Sequence, residues 1–230
     1  IALTGGGSSA HPGEISLAHN GVLFLDELPE YPRNVLEILR QPLEDNRITV
    51  SRVSRTVEYP ANFMLVASMN PCPCGNYGSS RGACTCSPAA IEKYRNRISG
   101  PLLDRIDLQI EVDNITYDDL TCTEDAEDSA SVKERVNAAR MIQTKRYKGT
   151  DVHCNARMTS AMLNRYCALD SDAQILLKNA FDRLDLSARA YTRILKVART
   201  IADLAANEQV TAEHVAEAIQ YRNADRKDSI

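Results

Sequence analysis

Two short stretches of this sequence hold most of the side chains that could do chemistry. The apolar run VLFL at positions 22–25 ends in Asp26 and Glu27. A carboxylate at the C-terminal end of a buried strand can orient a magnesium ion through its water, and its neighbour can polarise an attacking water; this is the Walker B arrangement of phosphoryl-transfer proteins. Two solvated acids at a strand end produce the same pattern, so the motif needs context. A second apolar run at 63–67 ends in Ser68, Met69 and Asn70. Open α/β sheets bind ligands at that end of their strands. An amide there can hold the same water and sense a γ-phosphate, or it can simply cap a turn. Further on, GPLLDRIDL at 100–108 sets Arg105 just ahead of another strand-like stretch. A guanidinium in that place can reach a phosphate across a subunit boundary. Asp104 and Asp107 flank it, and from charge alone pairing with them is the simpler reading.

The second stretch is a cysteine cluster. Cys72-x-Cys74 and Cys84-x-Cys86 are separated by nine residues in a segment rich in Gly, Pro and Ser that shows no periodicity. Four thiolates in one loop suffice for a closed tetrahedral zinc site, and a full set of protein ligands leaves no open position for catalysis. The spacing is tighter than the usual C-x(2–4)-C, which keeps a reduced, metal-free cluster as the alternative. Seven cysteines is an odd number for a disulfide framework. Cys122, Cys154 and Cys167 are scattered and read as incidental or buried thiols. Of the four histidines only His19 lies near a motif, where a local structural hydrogen bond is expected.

What must position these groups is legible in outline. The chain has 230 residues, 43% of them apolar, enough for a main domain and a smaller one. A net charge of −4 argues against a broadly basic surface, although a channel lined by a few arginines per subunit remains open. No run of about 18 apolar residues and no signal-peptide pattern occurs, so a soluble, cytoplasmic protein without membrane contact is expected. Strands are expected at 22–25, 63–67 and 108–112, the first two buried, with helices near 33–41 and 91–98. The stretch 47–59 reads as a hairpin carrying Arg47, Arg52 and Arg55. This order favours an α/β sheet. Residues 1–113 then form the sheet domain with the cysteine-rich loop at 71–88. Residues 114–131 form an acidic connector, and 132–230 read as helix throughout, with Thr211 as the N-cap of the last one.

Taken together, GEISLAHNGVLFLDELPE, ASMNPCPCG, RISGPLLDRIDL and SARAYTRILKVARTIADL resemble the magnesium-chelatase-like branch of AAA+ ATPases, the ComM/YifB type, nearly from end to end. The resemblance implies an α/β AAA+ P-loop-type core followed by an α-helical lid. It implies ATP with Mg2+ as the working nucleotide, Asp26 and Glu27 as Walker B, Asn70 as sensor 1 and Arg105 as a trans-acting finger. Arg189 becomes sensor 2, with Arg193 as the other choice. Hairpins inserted before sensor 1 in this clade point into a central channel, so Arg47, Arg52 and Arg55 would grip a phosphate backbone there. The implied parent is a hexameric ring motor acting on DNA, as in helicase-driven branch migration; the alternative is a chelatase-type subunit that remodels a protein partner for magnesium insertion into a porphyrin. One departure matters. GxxxxGK[ST] is absent, and the glycine cluster Gly5–Gly7 is followed by Ser-Ser-Ala. Since the chain also starts at Ile1, the expectation is a core truncated at its N-terminus, monomeric and unable to hydrolyse ATP alone.

Overall fold

The computed structural model describes residues 2–7, 10–52, 55–79, 82–112, 115, 117, 121 and 127–222, with only the backbone of Arg52 and Arg55. Most of the acidic connector, Cys122 and the hairpin tip at 53–54 therefore lie outside the described residues. The chain forms two compact units, Ile1–Ile106 and Asp107–Ile230.

The first unit begins with the short antiparallel pair β1 (Gly5–Gly6) and β2 (His11–Pro12). A Cβ on Gly5 would stand 2.1 Å from the His11 carbonyl oxygen, and its φ is +83°, so this glycine serves a close backbone approach. Then come α1 (Glu14–Leu17), β3 (Val22–Leu25) and a 3₁₀ turn at Leu28–Glu30. The helix expected near 33–41 is two short ones, α2 (Arg33–Ile38) and α3 (Arg40–Asp45). The break has a local cause: Pro42 has no N–H to offer Ile38 and sits in the first turn of α3, where none is needed. Asn46, left-handed at φ 58°, ends α3 and donates to the Pro42 carbonyl at 3.0 Å.

The hairpin is β4 (Arg47–Arg52) with β5 (Arg55–Pro60), in register from Arg47↔Pro60 to Arg52↔Arg55. Ile48 and Val50 are buried and Thr49 and Ser51 exposed, the alternation of a half-covered strand. β6 (Met64–Ala67) returns beside β3 in parallel, Val22↔Met64 through Leu25↔Ala67. α4 (Pro88–Arg95) and α5 (Gly100–Leu103) complete the unit, capped by Ser87 and Ser99, whose hydroxyls accept from Ala90 and Leu102 N–H. Ile15, Leu23, Leu25, Leu36, Leu39 and Leu102 form the centre of the core.

Three strand expectations change; the first is that β6, expected to be buried, leaves Met64, Val66 and Ala67 exposed. VLFL was read as buried on both faces; Leu23 and Leu25 are buried, but Val22 and Phe24 are 58% and 59% exposed. The run is apolar throughout, yet among the described residues nothing covers its outer face, which continues through Met64 and Val66. The third strand expected at 108–112 forms no ladder among the described residues. Its recorded backbone bond runs from Gln109 N–H to the Tyr221 carbonyl at 2.7 Å, and Ile110 and Val112 are exposed. A β-propensity run without a neighbouring strand stays extended chain.

The second unit is helical: α6 (Ser129–Arg146), a 3₁₀ turn (Asn155–Arg157), α7 (Ser160–Tyr166), α8 (Ser171–Arg183), α9 (Ala188–Leu204) and α10 (Ala212–Gln220). Asp128, Thr159, Asp170 and Ser187 cap the first four helices with side-chain oxygens. Thr211 caps α10 in a reciprocal arrangement with His214, whose Nδ1 accepts the Thr211 N–H at 3.0 Å. No helix among the described residues is long and apolar enough to cross a membrane.

Inside the apolar centre of this unit lies an ionic knot. Asp203 and Arg199 are each 1% exposed. Asp203 accepts from Arg146 Nη1 at 2.6 Å, from Asn155 Nδ2 at 2.8 Å and from Arg199 Nε at 3.1 Å. Arg199 Nη1 also donates to the Glu208 carbonyl at 2.7 Å, fastening the turn between α9 and α10. Burial pushes the Asp203 carboxyl up, but hydrogen bonds from Arg146 and Asn155 and the charges of both arginines outweigh it and hold it below its ordinary value.

Removing one member leaves buried charge without its partner, so Asp203→Ala is expected to cost about 3–5 kcal/mol in urea unfolding followed by circular dichroism. Because the folded carboxyl is depressed, its contribution is complete above the unfolded value of about 3.9 and is lost as pH falls through the lower folded value. Asp203→Asn is therefore expected to flatten the stability profile below about pH 4. An unchanged acid limb counts against the knot.

Candidate functional site

The parallel register of β3 and β6 ends with Leu25 beside Ala67, so Asp26 and Ser68 leave adjacent strand ends together. The Ser68 N–H donates to the Leu25 carbonyl at 3.0 Å, and the Leu28 N–H donates to the Ser68 carbonyl at 2.9 Å. The Ser68 hydroxyl donates to Asp26 Oδ1. The Glu27 N–H donates to the same Oδ1 at 2.9 Å and to Ser68 Oγ at 3.3 Å. Asp26 and Glu27 are both exposed. Both donors engage Oδ1, which leaves Oδ2 available to a cation or its water.

Glu27 occupies the left-handed region, φ 49° and ψ 50°. A non-glycine residue there is strained, and such strain persists only where surrounding bonds over-determine it. Here the bonds through Ser68 on one side and the turn Leu28–Glu30 on the other do so. Asn70 lies two residues past Ser68, at the same end of the sheet, and is exposed. The phenol of Tyr94 on α4 lies beside the Asn70 backbone. Tyr94 is buried, and burial, together with the charges of Glu30 and Glu27, pushes its phenol up more than that backbone draws it down. Arg97, just after α4, donates to the Pro29 carbonyl at 3.0 Å and to Glu30 Oε2 at 2.9 Å.

The other expected residues are placed as follows. Arg105 forms an ion pair with Glu44 of α3 and donates to the Pro101 carbonyl at 2.6 Å; its side chain is 9% exposed. Asp107 forms an ion pair with Arg193 in the second unit. Arg189 is exposed in the first turn of α9, one helical turn before Arg193. In the hairpin, Arg47 forms a half-exposed ion pair with Glu58 at 3.3 Å. Arg52 and Arg55 are the last registered pair before the tip. His19 has a local structural role: its Nδ1 accepts the Asn62 N–H at 3.1 Å.

The four loop cysteines converge. Sγ of Cys72 lies 3.4 Å from Cys74 and 3.7 Å from Cys84, Cys74 lies 3.6 Å from Cys84, and all four sulfurs are within 4.8 Å of one another. All are free thiols, with Cys72 buried. Gly75 and Gly78, at φ +79° and +77°, make the turns, and the Gly75 N–H closes onto the Cys72 carbonyl at 3.0 Å. Backbone hydrogen bonds at Asn76 and Thr85 bring the Cys74 thiol down to about 6, whereas burial and the neighbouring sulfurs push Cys86 up to about 12. Away from the cluster, Cys167 is buried in the helical core, where desolvation raises its thiol to about 11.

Ser68, Glu44 and Tyr94 carry no recognised role in the sequence reading. For Ser68 a signal existed. Aligning the two apolar runs as parallel strands sets a hydroxyl directly opposite Asp26. Glu44 offered none, because its partner is 61 residues away, and neither did Tyr94.

Two family models match the chain: magnesium chelatase, subunit ChlI, over residues 1–120, and the ChlI C-terminal region over residues 126–222. The chain is 49% identical to competence protein ComM of Haemophilus influenzae over 96% of its length and 42% of the relative. It is 46% identical to YifB of Escherichia coli over 98% of the chain and 44% of that protein. It is 24% identical to the chloroplastic magnesium-chelatase subunit ChlI-2 of Arabidopsis thaliana over the full chain and 49% of the relative. The chain thus spans less than half the length of these relatives.

The strain at Glu27 is measurable without any activity. Left-handed geometry costs an L-residue about 1–2 kcal/mol, and glycine's greater freedom when unfolded offsets about half of that. Glu27→Gly is therefore expected to raise stability by ~0.5–1 kcal/mol in denaturant melts while deleting the carboxylate. A clear loss of stability would mean that the Glu27 side chain, not its backbone, holds the turn.

Proposed function

The chain belongs to the magnesium chelatase, subunit ChlI family, and we propose that it carries the water- and magnesium-handling half of a AAA+ ATPase site in a DNA motor of the ComM/YifB type. The observation that carries this reading is the arrangement at the strand ends, where Ser68 and the Glu27 N–H fix one oxygen of Asp26 and leave the other open beside a strained, exposed glutamate. In this reading Asp26 holds a magnesium-bound water and Glu27 polarises the attacking water. Asn70 orients that water and senses the γ-phosphate. Bound Mg2+ supplies neutralisation of the phosphate charge. Arg105 acts on a neighbouring subunit's nucleotide after exchanging Glu44 for phosphate. Arg189, or Arg193 in its place, senses the γ-phosphate from the helical unit acting as a lid, and hydrolysis is passed round a hexamer as a change of lid angle. Zinc at the four cysteines is the structural cofactor.

DNA as the partner is supported by the name of a relative, a competence protein, and by the hairpin register. Two arginines at opposed positions disfavour an isolated hairpin, and a phosphate backbone relieves that cost. GxxxxGK[ST] does not occur in the 230 residues, so this chain by itself is expected to be monomeric and to turn over ATP negligibly. The chelatase-type reading, a motor that remodels a protein partner, draws on the ChlI-2 similarity across the full chain.

In the full-length protein, Glu27→Gln is expected to lower ATP turnover by about 10²-fold or more with nucleotide binding retained. Single-stranded or branched DNA is expected to stimulate the wild-type rate, and Arg52→Ala with Arg55→Ala to weaken DNA binding and reduce its salt slope. Turnover indifferent to DNA of either kind transfers the proposal to protein remodelling. Undiminished turnover by Glu27→Gln removes the hydrolysis assignment.

A further inference from the structure

The cysteine loop is spliced between the strand end and α4 in a way that gives it mechanical leverage on the site. Cys72 follows Asn70 by two residues, and Cys86 precedes Pro88, the first residue of α4, by two. The far end of that helix and the turn after it hold both strand ends. Arg95 Nε donates to the Pro71 carbonyl, next to Asn70, at 3.4 Å, and Arg97 reaches the Pro29 carbonyl and Glu30 just beyond the acids. The Arg95 guanidinium also lies over the ring of Tyr77 inside the loop, 5.0 Å from its centroid.

The sulfur separations of 3.4, 3.6 and 3.7 Å are close to the edge of about 3.8 Å for a tetrahedron with ~2.3 Å Zn–S bonds. They are far longer than the ~2.05 Å of a disulfide. Four soft thiolates in that geometry suit zinc and leave no open coordination position. Among the described residues the loop's backbone closes in two turns, Gly75 to Cys72 and Ser79 to Asn76 at 3.0 and 3.1 Å, and a metal held by four thiolates would cross-link its two ends.

We propose that zinc held by Cys72, Cys74, Cys84 and Cys86 is a clamp that, through the loop and α4, fixes Asn70 beside Asp26 and Glu27, so that metal occupancy governs the hydrolysis step and not nucleotide capture. The proposal rests on the reading of Asp26, Glu27 and Asn70 as the hydrolysis site. Asn70 is in this sense positioned by a metal whose nearest ligand, Cys72, is two residues away in sequence, and α4 carries the constraint to the turn after the acids.

The test uses this chain, purified without chelators, with zinc content from elemental analysis and amide exchange followed by mass spectrometry. About one zinc per chain is expected, since one set of four ligands is present. Chelation, or Cys84→Ser with Cys86→Ser, is expected to speed exchange roughly tenfold at 68–71 and 94–97 while helix α9 stays unchanged as the internal control for folding. Arg95→Ala, which removes the bond to the Pro71 carbonyl, is expected to keep the zinc and still lose protection at Asn70. In the full-length protein the same variant is expected to lower kcat with KM unchanged. Zinc bound with exchange at 68–71 indifferent to its removal overturns the clamp, and failure to bind zinc overturns clamp and metal together. If the exchange results hold but Glu27→Gln in the parent hydrolyses normally, the hydrolysis reading fails on its own.

Discussion

The parallel pairing of β3 with β6, closed by the Ser68 hydroxyl on Asp26, is the contact on which the rest of the first unit's chemistry depends. A parallel ladder brings two strands to an end on the same side, so groups 42 residues apart in sequence emerge together. With the register fixed, the backbone has few ways to leave the sheet. Leu28 bonds back to Ser68, the turn at Leu28–Glu30 begins at once, and Glu27 is forced left-handed between them. The strain at Glu27 is thus a consequence of two short constraints acting on one residue. Functional sites commonly store strain in this way because the surrounding structure, not the residue itself, determines the conformation.

The two units are held together by different physics. The first relies on a compact apolar centre and on turns fastened by side chains, and it leaves one face of its short sheet uncovered among the described residues. The second has a larger apolar cluster with a charged knot at its heart. Arg146, Asn155, Arg199 and Asp203 come from α6, the 3₁₀ turn and α9, so satisfying one carboxylate requires three separate elements to be in place. Hydrophobic packing tolerates sliding; a buried carboxylate with four specific donors does not. That knot therefore fixes the arrangement of three elements more than it adds net stability, since the attraction of a buried ion pair is largely offset by the cost of taking its charges out of water.

Much of the site was legible from residue types in order. Acids after an apolar run, an amide after the next run and paired cysteines in an aperiodic loop are local patterns; the structure puts the acids and the amide at one end of the β3–β6 pair and brings the four sulfurs within 4.8 Å. The helical second unit was also legible, because Ile194, Val197, Ala198 and Ile201 recur at helical spacing and Ser, Thr and Asp stand at the caps. What could not be read depends on partners. The apolar stretch at 108–112 has the composition of a strand, but composition does not supply a neighbour to pair with. The outer face of VLFL is apolar like its inner face, so nothing in the letters distinguishes covered from uncovered. Glu44 and Tyr94 acquire meaning only through residues that the fold brings to them.

Arg105 shows how far such partnership can alter a residue's meaning. Its position ahead of the 108–112 stretch suggests a cation offered outward, whereas its side chain is 9% exposed and tied to Glu44 and to the Pro101 carbonyl. A guanidinium already holding a carboxylate is not idle, since the pair keeps its planar donors oriented and prevents it from folding back on other acids. For it to act on a phosphate from a neighbouring copy, that phosphate must outcompete Glu44. The competition is uneven in the phosphate's favour: a nucleotide terminus carries more negative charge and presents oxygens matched to the bidentate fork. Glu44 is about half exposed, so water can take over the carboxylate once the arginine leaves. In the proposed role of a trans-acting finger, the contact with Glu44 would set a threshold that a ligand of lower charge fails to pass.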